Sequence, residues 1–194
     1  LRSLIIAYPV VSSDVRSYQC KIRDSGQYLL GIITDVLDTS MIESGKVKAQ
    51  SEPVLEEQLL HEAEDMMLLQ AEEQHIFFER SINRCKNECL VMDKAHVIQI
   101  LVNLLSNAMK FTPENGKVEF ITDVEQMDPA RVQHIYTISD NGCGMSRQFQ
   151  KKMYMPFEQE NSQQEAASGT GLGLYIVRKL VDMLHGTIEC VSQE

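Results

Sequence analysis

The chain has 194 residues and a formal net charge of −10, with 43% hydrophobic and 24% charged residues. These values are typical of a soluble globular protein with one core of about 100–150 residues and a smaller element. An acidic chain without a cluster of Lys and Arg is not expected to bind nucleic acid. No run approaches the roughly 20 apolar residues of a membrane span, so no membrane contact is expected here, although a longer parent could be anchored elsewhere. The five scattered cysteines favour free thiols in the reducing cytoplasm.

A long helix is predicted for residues 14–44, because apolar side chains recur about every 3.5 residues along it. The repeating positions include Val15, Tyr18, Ile22, Leu29 and Val36. Such a stripe usually packs against another helix, and residues 1–7 are interpreted as the remainder of that partner. Because a lone hairpin buries little surface, a two-fold dimer forming a four-helix bundle would complete it. The alternative is packing on its own domain, and Gly45 is expected to end the helix with a left-handed cap.

The next segment is predicted to connect this helix to a mixed domain. Residues 46–53 are expected to form a polar linker, and Ser51 is expected to cap a helix over residues 54–74. Strands are predicted over residues 75–82 and 88–92. Asp93 is then expected to cap a further helix.

That further helix, over residues 96–112, carries two stripes. Its predicted buried face consists of apolar residues at helical spacing, namely Val97, Leu101, Leu104, Ala108 and Phe111. A polar stripe about 100° away consists of Asn103, Asn107 and Lys110. This stripe could be an ordinary solvated edge. It could also bind a polyanion with Mg²⁺, because an amide oxygen is a sufficient ligand when phosphates bring the negative charge.

Paired strands are predicted over residues 117–125 and 131–139, and the second leads into Asp140-Asn141-Gly142-Cys143-Gly144-Met145. A carboxylate before two glycines at a strand end could be a simple turn. Alternatively, Gly142 and Gly144 let a flat ligand lie on the backbone while Asp140 accepts a hydrogen bond from its amino group. An adenine ring would meet that requirement.

Residues 146–168 are polar and Gln-rich, and their length predicts a functional lid or a disordered segment. The glycine-rich run from Gly169 to Leu174 is predicted to open a helix that reaches Leu184. Glycines at a helix start free backbone N–H groups to meet phosphate, although this motif alone is weak evidence. Gly186 is expected to end the helix, and residues 187–192 are predicted to form a strand.

Four segments stand in a fixed order along the chain: NLLSNAMKFT, DNGCGM, MPFEQ and GTGLGL. Together they resemble the asparagine, first glycine, phenylalanine and second glycine boxes of sensor histidine kinases. The catalytic domain of that family shares its ATP-binding fold with type II topoisomerases, a heat-shock chaperone and mismatch-repair ATPases. Upstream, SGQYLLGIITDVLDTSMIESGK resembles the second helix of the family's dimerisation and phosphotransfer domain.

This resemblance implies an α+β fold, a Bergerat-type two-layer α/β sandwich with a mixed sheet and helices on one face. A long helix of a dimerisation hairpin would precede it. Residues 1–45 would form a partial hairpin, residues 46–53 a linker, and residues 54–194 the ATP-binding catalytic domain without its last strand.

The resemblance also implies roles for individual residues. Asn107 would be the main Mg²⁺ ligand, with Asn103 assisting, and Lys110 would contact the distal phosphates. Asp140 would read the adenine. The remaining implied ATP-binding residues are Phe111, Gly142, Gly144, Met145, Phe157, Gly169, Thr170, Gly171, Leu172 and Gly173. Phe111 would cover the nucleoside, Phe157 would dock the lid, and the run from Gly169 to Gly173 would line the phosphates.

The implied function is transfer of the ATP γ-phosphate to a histidine on the dimerisation helix, followed by relay to an aspartate of a response-regulator receiver domain. None of the five histidines lies in the family's acceptor motif, so the acceptor is expected to be absent from this chain and no catalytic residue is assigned. The alternative is a pseudokinase that binds nucleotide and serves as a dimeric signalling scaffold.

Overall fold

The computed structural model describes residues 13–45, 47–82, 89–128, 131–160 and 169–193. The elements in chain order are α1 (Ser13–Glu43), β1 (Glu52–Leu55), α2 (Glu56–Glu73), β2 (Phe77–Ile82), β3 (Cys89–Met92), α3 (Lys94–Phe111), β4 (Lys117–Asp128), β5 (Arg131–Asp140), α4 (Arg147–Gln150) and α5 (Gly173–Met183). Two predictions lie outside these ranges: the partner helix at residues 1–7 and the part of the lid at residues 161–168.

The long helix is confirmed as α1, and Gly45 follows it with a φ of 64°, as a left-handed cap requires. Its apolar repeat faces solvent, with Ile22 73% exposed and Leu29 58% exposed. Its C-terminal part contacts the rest of the chain, where Ile42 packs against a buried cluster that includes Leu172 and Leu180. Among the described helices, none combines the length and apolarity needed to cross a bilayer.

A small two-stranded sheet replaces part of the predicted linker. β1 pairs antiparallel with β3, and α2 begins directly after β1. The prediction that Ser51 caps this helix is therefore wrong, because Leu55 occupies the N-cap position without a side-chain hydrogen bond. Pairing with β3 satisfies the extended backbone and buries Val54, which outweighs the local capping signal.

The main sheet has three strands in the order β2, β4, β5. β2 runs parallel to β4, and β5 returns antiparallel to β4, which confirms the predicted strand pair and gives a mixed sheet. Helices α2 and α3 cover one face of it. The fully buried side chains of this core are Leu59, Leu60, Ala63, Leu101, Leu105, Met109, Val118 and Phe120. The predicted two-layer α+β fold is confirmed.

The strand predicted at residues 187–192 is wrong, because this segment has an irregular backbone. It is held by side-chain contacts instead of a strand ladder. Met145 N–H donates to Ser192 Oγ at 2.9 Å, and Gln150 Nε2 donates to the Ser192 carbonyl at 3.1 Å. The segment therefore lies beside α4 without forming a strand.

Candidate functional site

Asp93 fixes the start of α3, as predicted. Its carboxylate accepts hydrogen bonds from His96 N–H at 3.2 Å and from Gln50 N–H at 2.7 Å, and His96 Nδ1 lies 2.7 Å from Asp93 Oδ2. Burial disfavours the charge of Asp93, but the hydrogen bonds from His96 and Gln50 outweigh it and lower the pKa of this carboxyl. The same carboxylate thus anchors both the helix and the segment before β1.

The buried face of α3 is rotated from the predicted one. Leu101, Leu105, Ala108 and Met109 are its buried residues. Leu104 is only half-buried and Phe111 is 45% exposed, so both predictions of burial were wrong. On a helical projection these two residues lie between the buried face and the polar stripe. The stripe itself, Asn103, Asn107 and Lys110, is half-buried at the edge of the core.

The glycine segment, from Gly169 to Gly173 at the start of α5, lies against this polar stripe. A Cβ atom at Gly173 would lie 3.1 Å from Asn103 Oδ1 and 4.0 Å from Asn107 Nδ2, and one at Gly169 would lie 2.9 Å from Lys110 Nζ. Asn103 Nδ2 donates to the Gln99 carbonyl at 2.9 Å, which turns Oδ1 toward Gly173. The structure therefore brings together the polar stripe and the glycine segment, although Gly169 lies 62 positions after Asn107 in sequence.

Phe157 lies against the middle of the same glycine segment. Its N–H donates to the Gly171 carbonyl at 2.9 Å, and a Cβ at Gly171 would lie 2.8 Å from the Phe157 carbonyl carbon. Gly171 has a φ of 71°, and Phe157 itself has a φ of 63°. Phe157 is 68% exposed. The two motifs are thus joined through their backbones, while the aromatic ring is left at the surface.

The turn after β5 packs on the C-terminal end of α3. Gly142 N–H donates to Asp140 Oδ1 at 2.9 Å, and a Cβ at Gly142 would lie only 2.4 Å from the Phe111 carbonyl oxygen. Asn141 extends the strand pairing by one step, because its Oδ1 accepts from Lys117 N–H at 2.7 Å. Gly144 has a φ of 72°, and Met145 beyond it is half-buried. Asp140 is consequently exposed beside the C-terminal end of α3.

Sequence reasoning missed two residues that hold these loops. Asn141 was given no role because the predicted adenine contact was assigned to Asp140 and the glycines beside it. Asp35 of α1 accepts a 2.6 Å hydrogen bond from Thr170 Oγ1, and no local pattern relates residues 135 positions apart. An Asn directly after a strand end is the signal that could have identified Asn141.

The donor set suits a hard cation that is bound together with phosphate. Within the described ranges, no group of three or more His, Cys, Asp or Glu side chains could hold a metal ion. Asn103 and Asn107 supply neutral amide oxygens, and Mg²⁺ is commonly held by few protein groups plus phosphate oxygens. The residues present therefore fit Mg²⁺ only when a polyphosphate completes its coordination.

Helix-borne amides and a lysine facing a glycine segment, on one side of an α+β sandwich, define a nucleotide-binding domain. Residues 92–194 match the family described as histidine kinase-, DNA gyrase B- and HSP90-like ATPases. This match covers more than half of the chain, and the chain belongs to that family.

Relatives and solved structures agree with this assignment. Autoinducer 2 sensor kinase/phosphatase LuxQ of Vibrio parahaemolyticus is 35% identical over 89% of this chain and 20% of its own length. Circadian input-output histidine kinase CikA of Synechococcus elongatus is 33% identical over 96% of this chain and 24% of its own length. Full-length ShkA in complex with AMPPNP superimposes with a TM-score of 0.71 at 28% identity, over 91% of this chain and 35% of that one.

The resemblance to the ATP-binding domain of sensor histidine kinases is thereby confirmed. The chain spans about a fifth of the length of the curated relatives it matches.

Proposed function

We propose that this chain binds Mg-ATP and presents its γ-phosphate to a histidine on a dimerisation helix, as the nucleotide-binding part of a two-component sensor kinase. The observation that carries the proposal is the approach of Gly169 and Gly173 to the polar stripe of α3. Phosphates lying between the two would meet the Lys110 ammonium, the two amides and the free backbone N–H groups at the start of α5.

Each end of the nucleotide would have its own residues. Asp140 would accept a hydrogen bond from the exocyclic amino group of adenine, which favours ATP over GTP because guanine presents an oxygen there. Phe111, which is 45% exposed and lies beside the Asp140 turn, would cover the nucleoside. Phe157 would dock the lid. The remaining residues of this proposed site are Gly142, Gly144, Met145, Thr170, Gly171 and Leu172.

At the phosphate end, Asn107 and Asn103 would hold Mg²⁺ through their amide oxygens. The ion, when bound, neutralises charge on the triphosphate and favours departure of ADP. Lys110 would hold the distal phosphates in place as a point charge. A neutral imidazole can then attack the γ-phosphorus in line, forming an N–P bond as the bond to the β–γ bridging oxygen breaks. The work of this domain is therefore mainly positioning and charge stabilisation.

The acceptor and the downstream partner are also part of the proposal. The acceptor histidine would be provided by a first dimerisation helix, and the phosphoryl group would pass from it to a receiver-domain aspartate. A second copy of the chain would cover the exposed apolar repeat of α1 and complete a four-helix bundle. We place this activity in the cytoplasm.

The test is phosphoryl transfer from γ-labelled Mg-ATP in a longer form of the protein that includes a first helix with the acceptor. We expect acid-labile, base-stable label on the longer form and none on the present chain. If both forms bind ATP and neither becomes labelled, the dimeric scaffold is the better account.

A further inference from the structure

Two carboxylates of α1 contact the glycine segment and α3, the two elements that carry the residues proposed to surround the phosphates. Asp35 Oδ2 accepts a hydrogen bond from Thr170 Oγ1 at 2.6 Å, and that hydroxyl accepts in turn from Leu172 N–H at 3.1 Å. Asp38 Oδ2 accepts from Gln99 Nε2 at 2.7 Å. Asp35 thus reaches the glycine segment, and Asp38 reaches α3 one turn before Asn103.

A third carboxylate and an apolar anchor complete the same contact. Glu43 Oε1 accepts a 2.6 Å hydrogen bond from the Tyr175 hydroxyl, and this bond raises the pKa of Tyr175. Between these polar contacts, Ile42 packs on the cluster of α5 that includes Leu172 and Tyr175. The C-terminal half of α1 is therefore docked on the face of the molecule that carries the proposed nucleotide site.

The carboxylates that α1 brings to this contact have the same sign of charge as the proposed ligand. Asp35 and Asp38 are half-buried, so solvent screens their charges less than those of surface carboxylates. A nucleoside triphosphate bound along Gly169 to Gly173 would place several negative charges near the Asp35–Thr170 hydrogen bond. The two carboxylates consequently oppose the ligand.

We infer that docking of α1 and binding of a nucleoside triphosphate oppose each other, with Asp35 as the residue that couples them. The docked carboxylate holds Thr170 and repels the phosphates, so nucleotide binds more weakly while α1 is docked. By linkage, bound nucleotide weakens the docking of α1 by the same factor. This inference rests on the proposed nucleotide site and adds that α1 regulates the affinity of that site for nucleotide.

Titration with Mg-AMPPNP of the full chain and three variants tests the coupling. Asp35→Asn keeps an acceptor for Thr170 but removes the charge, and Ile42→Ala weakens docking without changing charge. Asp65→Asn makes the same charge change at a side chain of α2 that is 59% exposed. We expect Asp35→Asn and Ile42→Ala each to bind about fivefold tighter or more, and Asp65→Asn to bind like the wild type.

Amide hydrogen exchange provides the reciprocal measurement. Saturating Mg-AMPPNP should speed exchange in residues 35–43 of the wild-type chain. Equal or weaker binding by Asp35→Asn, or unchanged or slower exchange in α1, would overturn the coupling while leaving the nucleotide site intact. Failure of the wild type and all variants to bind Mg-AMPPNP would overturn the proposed function together with the coupling.

Discussion

At the scale of single residues, Gly142 shows how closely the Asp140 turn is fitted to α3. A Cβ added there would lie 2.4 Å from the Phe111 carbonyl oxygen and 2.8 Å from Asp140 Oδ1. Because one of these atoms belongs to the backbone, the turn itself must move. We expect Gly142→Ala to lower stability by about 1–3 kcal/mol and to weaken nucleotide binding. Denaturant unfolding and nucleotide titration measure the two effects.

The matched control is Gly26→Ala in α1. Nothing lies within 4 Å of a Cβ at Gly26, and alanine favours the helix by about 1 kcal/mol over glycine. A Gly142→Ala protein as stable as the wild type would contradict the close packing of this turn.

Sequence spacing located the polar stripe of α3 but not the centre of its buried face. The period of a helix fixes that Asn103, Asn107 and Lys110 share one side. The side of the helix that meets the sheet is decided by packing against β4 and α2. Because the sequence does not show this packing, Leu104 and Phe111 were wrongly predicted to be buried. The Asp35–Thr170 contact likewise depends on how α1 meets the rest of the chain.

At the scale of elements, the N-cap of α3 makes stability depend on pH. The pKa of Asp93 is lowered in the folded protein, so its contribution is fully present above the ordinary aspartate pKa of about 4 and is lost as the pH falls through the lower folded value. We therefore expect the free energy of unfolding to decrease in this acid range. Asp93→Ala should cost about 1–2 kcal/mol at neutral pH, measured by denaturant unfolding.

Asp93→Asn separates the cap from its charge. Asparagine is an equally good N-cap but does not ionise, so this variant should lose the part of the acid dependence that belongs to Asp93. If Asp93→Asn and the wild type lose stability in parallel as the pH falls, Asp93 is not the group responsible.

Elements with strong periodicity were predictable, whereas short pairings were not. The helices α1 and α3 follow from repeats of apolar residues, because helical spacing is a local property of the sequence. β1 is four residues long and exists through its partner β3, which lies 34 or more residues further along the chain. The segment at residues 187–192 alternates like a strand but is tied to α4 by side chains. Such outcomes depend on neighbours distant in sequence.

At the scale of the whole molecule, the exposed apolar repeat of α1 predicts self-association. Tyr18, Ile22 and Leu29 are 58–73% exposed, and burying such side chains in a helical bundle is favourable by about 1.5–3 kcal/mol each. We expect the double variant Ile22→Glu and Leu29→Glu to shift the chain from dimer toward monomer in analytical ultracentrifugation.

Val91→Glu is the matched control for that experiment. Val91 lies on β3, outside the apolar repeat of α1, and is 75% exposed. It should leave the association unchanged. Equal sedimentation of the wild type and the α1 double variant would show that α1 does not form the dimer.

The most direct measurement is calorimetric titration of the wild type, Asn107→Ala and Ser106→Ala with Mg-AMPPNP. Ser106 precedes Asn107 on α3, and its hydroxyl donates to the Asn103 carbonyl at 3.2 Å. We predict that the wild type and Ser106→Ala bind alike and that Asn107→Ala, with its fold retained, binds at least about tenfold more weakly. Undiminished binding by a folded Asn107→Ala protein would contradict a nucleotide site built on the polar stripe of α3.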